Sequence, residues 1–387
     1  MRVWCVFIKS CREMLRDWWM LGLTLAFAPF FIYLYWLFAH GGSTSYRVLV
    51  VNNDLGATTA SGERLSAGQG VMAAINEVTY ADGKPLLKAV ELQDQAQAER
   101  LIKDHEAVAF LVIPGDFSQS LAALSAGDRS VSATLVFGGD LTNPYYMIGA
   151  TLAITAADAY VQNATGQRPI VQYIEQPLGG SAARTEFELY TPGIIITAAI
   201  LLVFLASMVV AREIEAGTLR RLRITPMTSF DLLGGITAAL TLVGVVSVLL
   251  TFLTALALGF HSQGPLWIAI LIGALTSLSV IGVGLIVACF SKTVSQAFVI
   301  ANFPLGALMF LSGAIFPLPK MVLFTVGGQE IGLFDILPPT HAVVALNKVL
   351  TLGAGLGEVA YEMTALFVLS VAYFVIGVWL FQRTQMR

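Results

Sequence analysis

Six stretches of this chain are long and apolar enough to cross a bilayer, and no other feature limits its fold as strongly. They run Trp18–Ala39, Thr191–Val210, Leu232–Phe260, Pro265–Phe290, Ala297–Phe316 and Met363–Phe381. A span needs about 20 apolar residues, because about 1.5 Å of rise per residue must cover roughly 30 Å of hydrocarbon. Backbone amides find no water there, so each span is expected to be a helix. The third run exceeds the minimum and predicts tilt or an interfacial extension. Composition agrees, since only 12% of the 387 residues are charged, against about 25% in soluble domains. The expected class is a polytopic α-helical membrane protein with six transmembrane helices.

Basic residues in short flanking segments set the orientation. Arg2, Lys9, Arg12 and Arg16 precede the first span; Arg212, Arg220, Arg221 and Arg223 follow the second; Lys292 follows the fourth; Arg383 and Arg387 follow the sixth. These eleven bases face five acids on the same side (Glu13, Asp17, Glu213, Glu215, Asp231), a balance of +6, and the opposite side carries −9. Both termini are therefore expected in the cytoplasm of a cell (inner) membrane protein, with residues 40–190 outside. The apolar run from Trp18 is too long for a cleaved signal. Cys5, Cys11 and Cys289 all lie in the amino-terminal segment or an apolar run, so no disulfide framework is expected. In residues 1–17, Trp4, Phe7, Ile8, Cys11, Leu15 and Trp18 recur at steps of three and four. That spacing predicts an amphipathic elbow helix in the headgroup region.

Within 40–190, Tyr46–Val51, Val108–Ile113 and Val131–Phe137 read as strands, whereas Gly68–Glu77, Gln93–Lys103 and Pro144–Gln162 read as helices. A mixed α/β extracytoplasmic domain, inserted between helices 1 and 2, is the natural fit. Asp54, Asp116 and Asp140 follow the strands, a placement that could build an acid/base site. Their Asn, Pro and Gly neighbours are ordinary turn chemistry, which is the favoured reading.

No ionisable residue lies in the middle of any proposed span, which argues against a proton- or ion-coupled carrier. No Gly-x-x-x-x-Gly-Lys-[Ser/Thr] loop is present, so ATP is not bound in that manner. The four histidines are scattered without ligand spacing, so no metal site is expected, nor any nucleic-acid partner. The remaining signal is Arg212–Pro226, a charged, Gly- and Pro-bounded connector between two apolar runs.

That connector resembles the permease subunits of ABC-2 type transporters, specifically the drug and lipid exporter branch with a large external domain after the first helix. The resemblance rests on Arg212-Glu213-Ile214-Glu215-Ala216-Gly217-Thr218-Leu219, followed by Leu222, Thr225 and Pro226. It rests also on Leu311–Pro319 with Leu337-Pro338-Pro339-Thr340-His341, and more loosely on Val48–Asp54, Phe110–Phe117 and the Asp140/Asn143-Pro144 turn. It implies a coupling helix at 212–226 that docks on a separate cytoplasmic ABC ATPase, where ATP and Mg are bound, with no cofactor in this chain. Arg212, Glu213, Glu215, Gly217, Thr218, Leu219, Arg220, Leu222, Thr225 and Pro226 are the implied coupling residues.

The resemblance further implies an external re-entrant segment near 317–341 as outer gate, carried by Ser312, Gly313, Phe316, Pro317, Pro319, Pro338 and Pro339. The other implied partners are a second permease chain and membrane lipids. The implied function is ATP-driven export of a hydrophobic or amphipathic substrate. Where the family often has an acidic residue after Gly-Thr-Leu, this chain has Arg220, Arg221 and Arg223, which oppose the dipole of a starting helix. The competing reading is a membrane receptor or secretion-accessory protein acting through its external domain, which would not need the connector.

Overall fold

The structure, a computed structural model, describes residues 2–40, 45–58, 64–80, 83–104, 106–128, 130–141, 143–166, 186–218, 226–316, 318, 321–326 and 329–385. Two compact units emerge: Met1–Phe38 with Pro177–Arg387, and Ala39–Gln176. The chain opens with α1 (Arg2–Arg16) and α2 (Trp18–His40), which meet at Asp17.

The inserted unit follows as β1 (Tyr46–Asn52), β2 (Ala57–Thr58), β3 (Arg64–Leu65), α3 (Ala67–Asn76), β4 (Leu87–Leu92), α4 (Gln95–Lys103), β5 (Ala109–Ile113), α5 (Phe117–Ser125), β6 (Val136–Gly138) and α6 (Pro144–Thr165). Its main sheet has the order β4-β1-β5-β6. Strands β4, β1 and β5 are parallel, and β6 runs antiparallel to β5. Val48, Val50, Leu111 and Ile113 meet Val71 and Ile75 of α3, Phe117 and Leu121 of α5 and Ala153 of α6 on one face. Leu49 and Val51 meet Ala98 and Ile102 of α4 on the other. Burial on both faces explains why β1 is a continuous Val/Leu run instead of an alternation. The strands differ from expectation in several places, the short β2 and β3 among them. The strand expected over Val131–Phe137 begins only at Val136, and β4, an edge strand carrying Lys88 and Glu91, was not expected at all.

In the other unit, α7 (Glu186–Ile200) and α8 (Leu202–Glu215) form one 29-residue apolar helix, Phe187–Glu215. The helix starts before the expected Thr191. Then come α9 (Ser229–Ala257), α10 (Leu266–Cys289) and α11 (Val294–Phe310). A hairpin of β7 (Val322–Val326) and β8 (Gln329–Gly332) follows, then α12 (Pro338–Leu346) and α13 (Ala360–Gln385). Helix α10 is the centre of the packing, flanked by α13, α8 and α9. Ser279 of α10 and Ser370 of α13 share a hydrogen bond at 2.5 Å, and Ser370 also donates to the Leu275 carbonyl at 3.1 Å. Such bonds fasten apolar helices that gain little from hydrophobic contrast in lipid.

Among the described residues, five helices are long and apolar enough to cross a membrane, against the six spans expected. The run expected as Ala297–Phe316 is instead the 17-residue α11, which contains Pro304, followed by a bent segment 311–316. At about 1.5 Å per residue α11 is roughly 25 Å long, short of the hydrocarbon thickness. The bend has a local cause, because Gly313 adopts a left-handed φ of 80° that helix cannot continue through.

Candidate functional site

The last turn of α8 carries Arg212, Glu213 and Glu215, and each grips a different part of the membrane unit. Arg212 Nη2 donates to Asp17 Oδ2 at 2.9 Å, at the joint of α1 and α2. Lys9 Nζ of α1 donates to Glu213 Oε1 at 2.6 Å. The backbone N–H of Val294, first residue of α11, donates to Glu215 Oε2 at 2.8 Å. A helix start leaves four backbone donors without internal partners and carries partial positive charge, so a carboxylate belongs there. Thr293 serves α11 locally by accepting from the Gln296 N–H at 3.2 Å, and Glu215 serves it from 79 residues away.

The Glu213 side chain is only 12% exposed, so its pair with Lys9 is better shielded than an ordinary surface pair. Burial acts to lower the Lys9 pKa. The hydrogen bond and charge of Glu213, with Glu13 at 3.5 Å, outweigh it and hold the ammonium above its ordinary value.

Helix α8 stops where sequence places the connector. Ala216 N–H donates to the Arg212 carbonyl at 2.9 Å and Gly217 N–H to the Ile214 carbonyl at 3.1 Å. Gly217 has φ 66°, the left-handed conformation that terminates helices. Thr218 follows in helical geometry. Leu219, Arg220, Leu222 and Thr225, with Arg221 and Arg223, lie outside the described residues. On the far side the Pro226 carbonyl accepts a hydrogen bond from the Arg2 guanidinium. Thr228 and Asp231 then form a reciprocal capping box for α9, whose bonds hold the Asp231 carboxyl below its usual range. Helix α1 thus holds both margins of the connector, through Lys9 and through Arg2. It packs on α9 with Val6, which abuts Gly235 so closely that a Cβ there would lie 2.5 Å from the Val6 Cβ.

The segment expected as outer gate is partly in view. Ser312 is buried and donates to the Leu308 carbonyl at 2.6 Å, and Phe316 is exposed. The Ala314 carbonyl rests on Gly193 of α7 in a contact that leaves no room for a Cβ. Pro338 and Pro339 are buried at the start of α12, where the missing N–H groups cost nothing. Pro317 and Pro319 lie outside the described residues. The implied re-entrant segment contains a β-hairpin, then a 3-10 turn, Leu333–Ile336, and the start of α12.

Two pairs escaped sequence reading. The buried Glu188 carboxylate meets the His261 ring at 3.0 Å and its N–H at 3.2 Å, and Lys348 donates to the buried Glu362 at 2.7 Å. The first joins residues 73 apart, which no local pattern announces.

In the inserted unit, Asp54 is a structural carboxylate. It accepts from Gly68 N–H at 2.9 Å, Ser118 N–H at 2.9 Å and the Ser118 hydroxyl at 2.5 Å, with Gly56 N–H at 3.4 Å. Burial acts to raise its pKa, but these donors prevail and hold it below the usual carboxylate range. Asp116 stands at the start of α5 without a side-chain capping bond, and the Asp140 carbonyl closes a turn by accepting from Asn143 N–H at 3.0 Å. Among the described residues no three His, Cys, Asp or Glu side chains converge as a metal site.

A bundle of bilayer-length helices, with one helix end wired to an amphipathic elbow and to another helix start, defines a multi-pass membrane protein. The chain belongs to the ABC-2 family of transporters, since its residues 16–379 match the family model described as ABC-2 family transporter protein. No curated protein matches it.

Proposed function

We propose that this chain is the permease subunit of an ATP-driven exporter, and that residues 212–226 are the point where a separate cytoplasmic ABC ATPase pushes. The observation that carries this reading is the division of labour on one helix turn. Arg212, Glu213 and Glu215 hold the α1–α2 joint, α1 and α11 respectively. A displacement of the connector therefore reaches the first, second and fifth apolar helices together. The charged residues serve this inward coupling, which leaves Leu219 and Leu222, three apart, as the pair that enters a groove on the ATPase.

In this reading both termini are cytoplasmic and the inserted unit is extracytoplasmic. Two permease chains form the path, and ATP with Mg is held by the ATPase. The bend at Gly313, resting on Gly193, is the outer gate, and the cargo is hydrophobic or amphipathic. Irregular backbone is tolerated at membrane depth only where protein or a cavity surrounds it.

The test combines capture and transport. Gly217→Val, or Leu219→Asp with Leu222→Asp, should abolish co-purification of the ATPase while membrane insertion stays normal. Export and ATPase capture that survive both changes would refute the coupling role.

A further inference from the structure

We propose that the cleft between α1, the head of α2 and the end of α8 binds the headgroup of a zwitterionic aminophospholipid from the leaflet on the Arg212 side. This inference does not depend on the ATPase coupling. The cleft has a volume of ≈ 580 Å³, and six charged side chains line it: Lys9, Glu13, Arg16, Asp17, Arg212 and Glu213. Three are cationic and three anionic, so the site offers separated charges without a net sign. A zwitterion fits that field better than a simple anion or cation.

Four of the six are engaged with one another as Lys9–Glu213 and Arg212–Asp17. Arg16 has no described ion-pair partner. Glu13 has only Lys9 at 3.5 Å, and that ammonium lies nearer to Glu213. Glu13 and Arg16 are three residues apart on α1 and therefore neighbours on one face. A carboxylate held only by the longer 3.5 Å contact, beside a guanidinium with no described ion-pair partner, matches an ammonium and a phosphate separated by two methylenes. The guanidinium takes phosphate oxygens, and the carboxylate takes the ammonium N–H donors.

The surroundings place the cleft where such a headgroup lives. An apolar slot continues from it, sharing Glu13, Asp17, Arg212 and Glu213 and adding Met14, Met20, Leu21, Leu205 and Val209. Leu205 precedes Arg212 by seven residues, so the slot descends roughly 10 Å toward the hydrocarbon. At ≈ 30 Å³ it is too small for an acyl chain. The chains therefore run outside it along α2, whose Leu23, Phe27 and Phe30 are exposed. Trp18 and Trp19, which directly follow the lining residue Asp17 in the chain, are exposed, and Trp18 stacks on Trp19 at 4.2 Å. Exposed tryptophans of this kind mark the membrane–water interface.

The test uses the full chain in nanodiscs of phosphatidylglycerol mixed with phosphatidylethanolamine or phosphatidylcholine, followed by detergent extraction and native mass spectrometry. Phosphatidylethanolamine should be retained in preference to both other lipids, since a choline group has no N–H for Glu13. Arg16→Gln and Glu13→Gln should each lower its retention about tenfold, the loss of one charge-assisted contact. Arg12→Gln, on the same helix but outside the cleft, should retain it as the parent does and so reports general basic attraction. Circular dichroism and monodisperse elution confirm that each variant is folded. Equal retention of the three lipids, or retention unchanged in both cleft variants, overturns the proposal. So does a bound cytoplasmic protein that is lost in Arg16→Gln while the lipids are unaffected.

Discussion

Replacing Asp54 with Asn should loosen the inserted unit at one definable point. Gly68 and Ser118 are the second residues of α3 and α5, the positions whose N–H groups a capping side chain normally serves. Neither Ser66 nor Asp116, the residues at those helix starts, makes a side-chain capping bond. Asp54 at the end of β1 does the work of both, and the Ser118 hydroxyl that donates to it also accepts from Ala67 N–H at 2.8 Å. In the Asn variant Oδ1 can still accept from Ser118 N–H, but an NH₂ group now faces the Gly68 N–H. One charge-assisted bond is lost outright and the others lose their charge, at about 1.5–3 kcal/mol each before relaxation. Because Gly68 is buried, water cannot easily replace the lost acceptor. The expected loss is about 3 kcal/mol, or roughly a hundredfold faster exchange of the β1, α3 and α5 amides at neutral pH.

Hydrogen exchange on the full chain in detergent measures this directly, with the α10 amides as an internal control. The pH dependence follows with a definite sign. A carboxyl held below its ordinary value stabilises the fold above about pH 4 and loses that contribution as pH falls through the lowered folded value. The parent should therefore lose protection in that window and the variant should not. Exchange within threefold of the parent at neutral pH would refute the claim that this carboxylate secures two helix starts.

Three further outcomes are expected. Glu215→Gln keeps an acceptor for Val294 N–H but removes its charge, so the first α11 amides should exchange roughly threefold to tenfold faster, about 1 kcal/mol. A double-mutant cycle of Lys9→Met with Glu213→Gln, read by thermal unfolding in detergent, should return a coupling of only about 0.5–1 kcal/mol, because the Lys9 side chain is 43% exposed. Gly193→Ala places a methyl against the Ala314 carbonyl, so segment 311–316 must move. Expected are a shift of a few °C in melting temperature and loss of transport with normal insertion.

What the sequence disclosed, and what it hid, divides along the range of the interactions. Amphipathic spacing announces α1, but not the face that meets the protein. The stripe of Trp4, Leu15 and Trp18 is left exposed, while Val6 and Ser10 are the residues buried. A helix lying at an interface has two apolar neighbours, lipid and protein, and hydrophobicity alone cannot assign a stripe to either. Similarly, Gly217 was readable as a break because a left-handed residue is a local event. Gly193 was not, since its reason lies in the backbone of Ala314, 121 residues on. Val322–Val326 carries a β-branched and aromatic composition that fits the strand it forms, a local signal the reading of 317–341 as a re-entrant segment left unused.

The connector shows the same division most sharply. From composition alone, Arg212, Glu213 and Glu215 are charges available to a partner, yet Asp17, Lys9 and Val294 already occupy them. A charge already paired within the chain is a weak anchor for another protein, because docking must first break a bond worth as much as the one it makes. In the proposed coupling role the same pairing favours transmission, since a push at Gly217 would draw on α1 and α11 through α8. If the ATPase instead gripped these charges directly, Glu213→Gln would weaken its capture as severely as Leu222→Asp. Under the proposed arrangement the Glu213 variant should retain capture and lose only the coupling of ATP hydrolysis to transport.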